Sequence, residues 1–310
     1  MIAAAPSPAP GPALVADAAA GAAPGAIQGG RGWRARPGLM VSGALAFCAL
    51  VYLWPMLALV GWAFHDQTSG WSLAQLARVA GDEDYHYAFV TTFRIAVTTT
   101  LVSALIGYPY AYLMASSGPR LAALLGAAVM IPFWTSILAR SLAWMILLGR
   151  KGVINEWLVG LGLIERPLAM LFNSLGVQIG MVHVLLPFMV LPIWAILSRL
   201  DATLPRAARS LGASPARAFW NVTFPLSLPG LAAGVALVFM SAIGFYVTPA
   251  LLGGPSDLTI ASLIEMVVRD LLDWPFGAIL SLTLLACVAA VFAIGALVAG
   301  AGRLTGTERA

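Results

Sequence analysis

Charge is what this chain has least of. Only 10% of its 310 residues are Asp, Glu, Lys or Arg, against about 25% in ordinary soluble domains, which excludes a water-facing globule. Lysine is reduced to Lys151, and the other basic residues are arginines scattered singly. No basic face with interleaved aromatics can be drawn from them, so nucleic acid is not a partner. Cysteine is nearly absent too: Cys48 and Cys287 lie inside apolar runs and read as core residues, not as a disulfide or metal pair. No Gly-x-x-x-x-Gly-Lys-Ser/Thr segment occurs, so this chain carries no P-loop with which to hydrolyse ATP. Neither a paired-acid motif nor a Ser/His pair nor a metal cluster falls within the apolar stretches, leaving no catalytic or metal-binding residue to name and no cofactor expected on this chain. Carboxylates are missing from the interiors of those stretches altogether. An ion-gradient-driven secondary transporter would need such acids, or inverted repeats with broken helices.

What is there is hydrocarbon. Hydrophobic residues make up 60% of the chain and its mean hydropathy is +0.90. Residues 1–38 are Ala, Pro and Gly with almost no large hydrophobes before Trp33, and are expected to be a disordered tail. The prolines at 6, 8, 10 and 12 interrupt any signal-peptide core. Residues 39–300 hold six apolar stretches, Leu39 to Phe64, Tyr87 to Met114, Leu121 to Leu148, Val177 to Leu197, Leu226 to Leu251 and Pro275 to Ala299. Each is long enough to cross a bilayer as a helix, which takes about 20 residues. Helix is forced because unpaired backbone in lipid costs several kcal/mol per group. The expected class is therefore an all-α integral membrane protein of six transmembrane helices, with a short tail at 301–310. Prolines 55, 109, 132, 187, 192 and 249 predict kinks.

Six spans put both termini on one side. A cytoplasmic N-terminus places Arg31, Arg34, Arg36, Arg120, Arg199, Arg206, Arg209, Arg217, Arg303 and Arg309 inside, ten of the seventeen basic residues. Basic residues near span ends orient membrane proteins, so both termini are expected in the cytoplasm. The longest inside loop is then 199–225. Leu204 to Phe219 has the composition of a short helix, with arginines at 206, 209 and 217 available to water, and Asn221 to Pro225 is expected to turn the chain back to the membrane. Ala207 and Ala208 suit close approach to a partner surface, Gly212 permits a sharp change of direction, and Pro225 fixes the exit angle.

Arg206-Ala207-Ala208, then Gly212, then Val222-Thr223-Phe224-Pro225 resembles the cytoplasmic loop of inner-membrane permease subunits of binding-protein-dependent ABC importers. That loop follows Glu-Ala-Ala, three residues, Gly, nine residues, Ile-x-Leu-Pro. Arg206 stands where the family has an acid; Val222 and Phe224 are milder departures. The resemblance implies a type I importer permease fold, a coupling helix seated in a groove of an ATPase, and residence in a bacterial inner membrane. It also implies as partners a second homologous permease, two ATPase subunits and a periplasmic solute-binding protein. The segments Ile131 to Asn155, Gly244 to Gly254 and Asp273 to Ser281 resemble the spermidine/putrescine-type branch.

Polar groups within spans mark candidates for the path, because they are costly there. Arg140 lies deep in the third span between Trp134 and Trp144. With Tyr246 these aromatics could offer cation-π faces to an alkylammonium. Arg94 is expected to snorkel, and His183 to be packed and hydrogen-bonded. With no acid in the span interiors, charge selection of a polycation on this chain would rest on the outer acids Asp257, Glu265, Asp270 and Asp273. Gly176-x-x-x-Gly180 and Gly230-x-x-x-Gly234 are expected to serve helix packing.

Overall fold

A computed structural model describes residues 37–66, 70–81 and 83–306. The expected tail at 1–38 lies outside these residues apart from its last two positions, as do 307–310. The chain divides into two compact units, Met1–Met56 and Leu57–Ala310. Within the first, the described part is helical. The second carries everything that follows.

Helix α1, Pro37–Phe64, opens the described chain, and a two-residue ladder of β1 (His65–Asp66) and β2 (Gly70–Trp71) follows it. Then come α2 (Ala74–Gly81), α3 (Glu83–Ser116), α4 (Pro119–Phe133), α5 (Ile137–Leu148), α6 (Val153–Gly160) and α7 (Ser174–Leu197). The remainder is α8 (Thr203–Ser210), α9 (Pro215–Ala218), a π-turn (Phe219–Thr223), α10 (Phe224–Ile243), α11 (Val247–Leu252), a 3₁₀ turn (Pro255–Asp257), α12 (Ile260–Arg269) and α13 (Trp274–Gly306). The last helix thus runs six residues into the segment expected as a tail.

Among the described residues, five helices are long and apolar enough to cross a membrane, and the remaining expected span, the third, is broken. Leu121 to Leu148 is not one helix: α4 and α5–α6 meet at 98°. Pro132 has no N–H to give to the carbonyl four residues back, so the ladder weakens there. The Thr135 hydroxyl and the Thr135 N–H both take the Pro132 carbonyl, at 2.7 and 3.2 Å, which ends α4. Ser136 then turns to φ −57°, ψ 134°, and α5 starts afresh at Ile137. Pro55, Pro109, Pro187 and Pro192 lie inside continuous helices. The fifth span also differs from expectation. Its helix ends at Ile243, and α11 is a separate piece.

Helix α7 is the centre of the packing, held between α3 and α10. Val177, Met181, Leu185, Met189, Val190 and Ile193 of α7 are buried against Ile95 and Ala96 of α3 and Val238 and Ala242 of α10. Small residues let the backbones approach, as membrane helix pairs require. A Cβ added at Gly230 would lie 2.8 Å from the Pro192 carbonyl oxygen and 3.1 Å from Ile193 Cα, and one at Gly234 would lie 2.9 Å from Met189 Sδ. A Cβ at Gly180 would lie 2.7 Å from Thr248 Cγ2 and one at Gly176 3.3 Å from the Leu252 carbonyl oxygen, both on α11, so both glycine pairs singled out in the sequence sit at helix contacts. A second cluster joins α2, α12 and the start of α13 through Val79, Ile260, Val267, Phe276 and Ile279. Leu101, Leu105, Ile131 and Ile146 remain exposed, as residues facing acyl chains do.

Candidate functional site

The polar loop between α7 and α10 is two helices joined at a glycine. Asp201 Oδ1 accepts the Thr203 N–H at 2.8 Å, ordering the entry to α8. At the other end Gly212 adopts φ +91°. The Gly212 N–H reaches the Arg209 carbonyl at 3.0 Å and the Ala213 N–H reaches the Ala208 carbonyl at 3.1 Å. This is the paired-bond helix ending that places a glycine in the left-handed region. Ser214 then caps the next helix by accepting the Arg217 N–H, with Pro215 in the first turn. The reversal is therefore at 211–214, and the single helix expected over Leu204 to Phe219 is two.

Beyond the reversal, Asn221 to Pro225 is not the expected turn. The helix runs without interruption from Pro215 to Ile243. Because Pro225 lacks an N–H, the ladder widens: Phe224 N–H bonds the Phe219 carbonyl, five residues back. Phe219 packs edge-on against Tyr108 and Tyr112 of α3, and the Tyr108 and Ser227 hydroxyls meet at 2.7 Å. None of the eight residues of α8 is buried. Leu211, an apolar side chain at a water-facing tip, is 90% exposed. Among the described residues, Arg206, Arg209 and Arg217 form no ion pair.

The break between α4 and α5 opens a cavity of about 470 Å³ lined by Phe133, Thr135, Ser136, Arg140, Phe188 and Ser241, among others. It faces the middle of α7 and the outer end of α10. Arg140 is 9% exposed. One guanidinium nitrogen, Nη2, donates to the Thr135 carbonyl at 3.3 Å, while Nε and Nη1 find no acceptor. Of the four path candidates, Arg140 alone lines this cavity. Trp144 donates its indole N–H to His183 Nδ1 at 3.1 Å, which gives His183 the packed, hydrogen-bonded place expected of it. Trp134 is 81% exposed at the break, and Tyr246 sits half-exposed at the junction of α10 and α11. Ser136, Ser241 and Phe188 carry no sequence signal of their own; only the break brings them to Arg140.

The outer acids are mostly spoken for. Asp257 is 1% exposed and belongs to the packing. Its carboxylate accepts from Ser174 Oγ and from the Gly254 N–H at 3.2 Å, and lies 3.5 Å from Arg94 Nη2. It is therefore not available to attract a polycation, and Arg94 is ion-paired with it. Glu265 accepts from Arg269 at 2.9 Å, and Asp273 faces Arg78 at 3.4 Å, whose guanidinium also lies over the Phe276 ring. A polar clasp that sequence reading passed over joins α3 to α7: the Thr99 hydroxyl donates to Gln178 Oε1 at 2.9 Å, and Gln178 Nε2 donates to Thr98 at 2.6 Å.

The chain is 36% identical over 236 residues to the spermidine/putrescine transport system permease protein PotB of Salmonella typhimurium (strain SL1344), covering 74% of this chain and 82% of that one. It is 32% identical over 239 residues to the inner membrane ABC transporter permease protein YdcU of Escherichia coli (strain K12), covering 70% and 75%. In fold it is similar to a chain of the crystal structure of a bacterial ABC transporter that imports the acidic polysaccharide alginate. That match has a TM-score of 0.67 at 17% identity and covers 84% of this chain and 95% of the other. Residues 107–303 match the profile of the inner membrane component of binding-protein-dependent transport systems. With the spans, the broken helix pair and the glycine-capped loop in place, the chain belongs to this family of ABC-importer permeases.

Proposed function

We propose that this chain forms one membrane-spanning half of the path of an ATP-driven importer, taking up a polyamine such as spermidine or putrescine, or a related nitrogenous solute. Its partners are a second homologous permease, two ATPase subunits that bind ATP and Mg²⁺, and a periplasmic solute-binding protein. The chain itself holds no cofactor and performs no chemistry. The observation that carries the reading is mechanical: an unburied helix, α8, is joined through Gly212 to a helix that is continuous from Pro215 to Ile243. A push on the cytoplasmic tip would pass without a flexible joint into α10, and from there into α7 and α3. Leu211, with Ala207 and Ala208, offers the ATPase an apolar and close-fitting surface, Arg206 and Arg209 a basic one, and Val222, Phe224 and Pro225 form the stiff exit.

The test is Gly212→Val against Gly212→Asn in the assembled importer. No atom lies within 4 Å of a Cβ built at Gly212, so the substitutions act through φ alone. A β-branched residue in the left-handed region loses about 1–2 kcal/mol, whereas Asn tolerates it. Solute-stimulated ATP hydrolysis is expected to fall roughly tenfold in Gly212→Val and to stay near normal in Gly212→Asn. Equal coupling in both variants would refute the lever. Uptake by the purified chain alone, driven by an ion gradient without ATPase subunits, would favour the secondary-transporter alternative.

A further inference from the structure

The charge at the break in the third span has the wrong sign for a polyamine. Arg140 is the fourth residue of α5, and helical side chains lean toward the N-terminus of their own helix. Its guanidinium accordingly hangs back over the start of α5 and touches the Thr135 carbonyl. The first N–H groups of a helix have no partner within it, and the Ser136 side chain, in the capping position, makes no capping bond. Two kinds of donor therefore lie beside one cavity: the open N-terminus of a twelve-residue half-helix, and the guanidinium of an arginine that lines it, is nine-tenths buried and has its Nε and Nη1 hydrogens unpaired. Among the described residues no carboxylate forms an ion pair with Arg140. The Ser136 and Ser241 hydroxyls share the lining, and Phe133, Phe188 and Phe245 close it. Helix N-termini attract anions, and a buried cation without a counter-ion is costly. Both deficits are met by one oxyanion.

We propose that this cavity binds the carboxylate of the transported solute, so that the solute is an amino-carboxylate and not a pure polyamine. The proposal rests on the importer reading and, of the two solute classes named there, selects the related nitrogenous solute over the polyamine. The cavity, about 470 Å³, holds a small molecule whole, and it sits against Val184, Leu185 and Phe188, halfway along α7. A carboxylate anchored on Arg140 leaves the amine end to the aromatic rings, which suit ammonium groups.

The test compares 4-aminobutyrate with putrescine, two compounds of similar length that share one amine and differ in carrying a carboxylate or a second ammonium at the far end. Binding is measured by tryptophan fluorescence and by titration calorimetry on the permease in lipid nanodiscs, and again on the assembled importer. Saturable binding of 4-aminobutyrate but not putrescine is expected. Arg140→Gln should weaken it at least about tenfold, since hydrogen bonds to charged groups are the strong ones. Ile137→Pro is the second variant. Proline is favoured at the first helical position and suits the extended ψ of Ser136, yet it removes one N–H from the cradle. It should weaken 4-aminobutyrate binding several-fold while the chain still assembles with its ATPase. Preference for putrescine, carboxylate binding untouched in both variants, or the absence of binding to either compound would overturn the proposal. Binding to the isolated chain that vanishes in the assembled importer would also overturn it, by showing that a partner permease's own carboxylate fills the cavity. Co-purification of the ATPase reports on the importer reading separately, so the two can fail independently.

Discussion

Asp257→Ala probes a buried polar knot. The carboxylate is 1% exposed and serves three groups: the Ser174 hydroxyl at the start of α7, the Gly254 N–H of its own 3₁₀ turn, and Arg94 of α3 at 3.5 Å. Alanine removes the acceptor of two partly buried donors, each costing about 1–3 kcal/mol when left unmet. The lower half of that range applies because Ser174 and Gly254 are not fully buried. Arg94 adds little. Its side chain is 51% exposed, so once unpaired it can reach water or headgroups, and the buried Asp257 carboxylate keeps its two hydrogen-bond donors; a 3.5 Å pair with one exposed partner contributes under about 1 kcal/mol. The expected loss is about 2–4 kcal/mol for Asp257→Ala and less than about 1 kcal/mol for Arg94→Gln. Added to Asp257→Ala, Arg94→Gln should change nothing further, because the two act through one contact. Unfolding in mixed micelles at increasing denaturing detergent, followed by tryptophan fluorescence, measures all three. The reasoning is refuted if Arg94→Gln costs as much as Asp257→Ala, which would make the ion pair dominant, or if Asp257→Ala costs under 1 kcal/mol.

Two further outcomes test the packing and the loop. Gly230→Val should drive α7 and α10 apart, because the first added carbon already lies 2.8 Å from the Pro192 carbonyl and neither backbone can give way; a loss of about 1–3 kcal/mol or more is expected in the same assay, with Gly43→Val, where nothing lies within 4 Å, as a near-neutral control. At the entry to α8, the hydrogen bonds from the Thr203 N–H and hydroxyl hold the Asp201 carboxyl below its usual range, with Arg206 adding to the effect. A depressed carboxyl stabilises the folded form above its ordinary pKa and loses that contribution as pH falls through the folded value. The Thr203 amide resonance should therefore titrate with a midpoint below the usual Asp value near 3.9, and Asp201→Asn should remove the transition.

The loop shows where sequence and structure divide. The spacing Ala207, Ala208, Gly212 and Pro225 is legible because each residue acts locally: glycine through φ, proline through a missing N–H. What was misplaced is the extent of the helices. A run of five residues ending in Phe224-Pro225 reads as a turn, but the aromatic contacts of Phe219 with Tyr108 and Tyr112, more than a hundred residues earlier in the chain, hold it as a widened helical turn. The outer acids divide in the same way. Asp257 stands beside a proline and two glycines in the sequence and looks like a surface loop acid, until α3 and α7 close over it.

Hydrophobic length and the shortage of charge determine by themselves that this chain lives in a membrane and how many apolar stretches it has, and the placement of arginine sets which loop is expected in the cytoplasm. Those properties depend on transfer from water to hydrocarbon, which is additive along a chain. The cavity at Arg140 is of another kind. Pro132 makes a break possible, but the cavity also needs Ser136, at the break, to meet Phe188 of α7 and Ser241 of α10, two helices that pack closely through Gly230 and Gly234. Where a buried cation is left seeking an anion is a property of three helices at once, and no one of their sequences contains it.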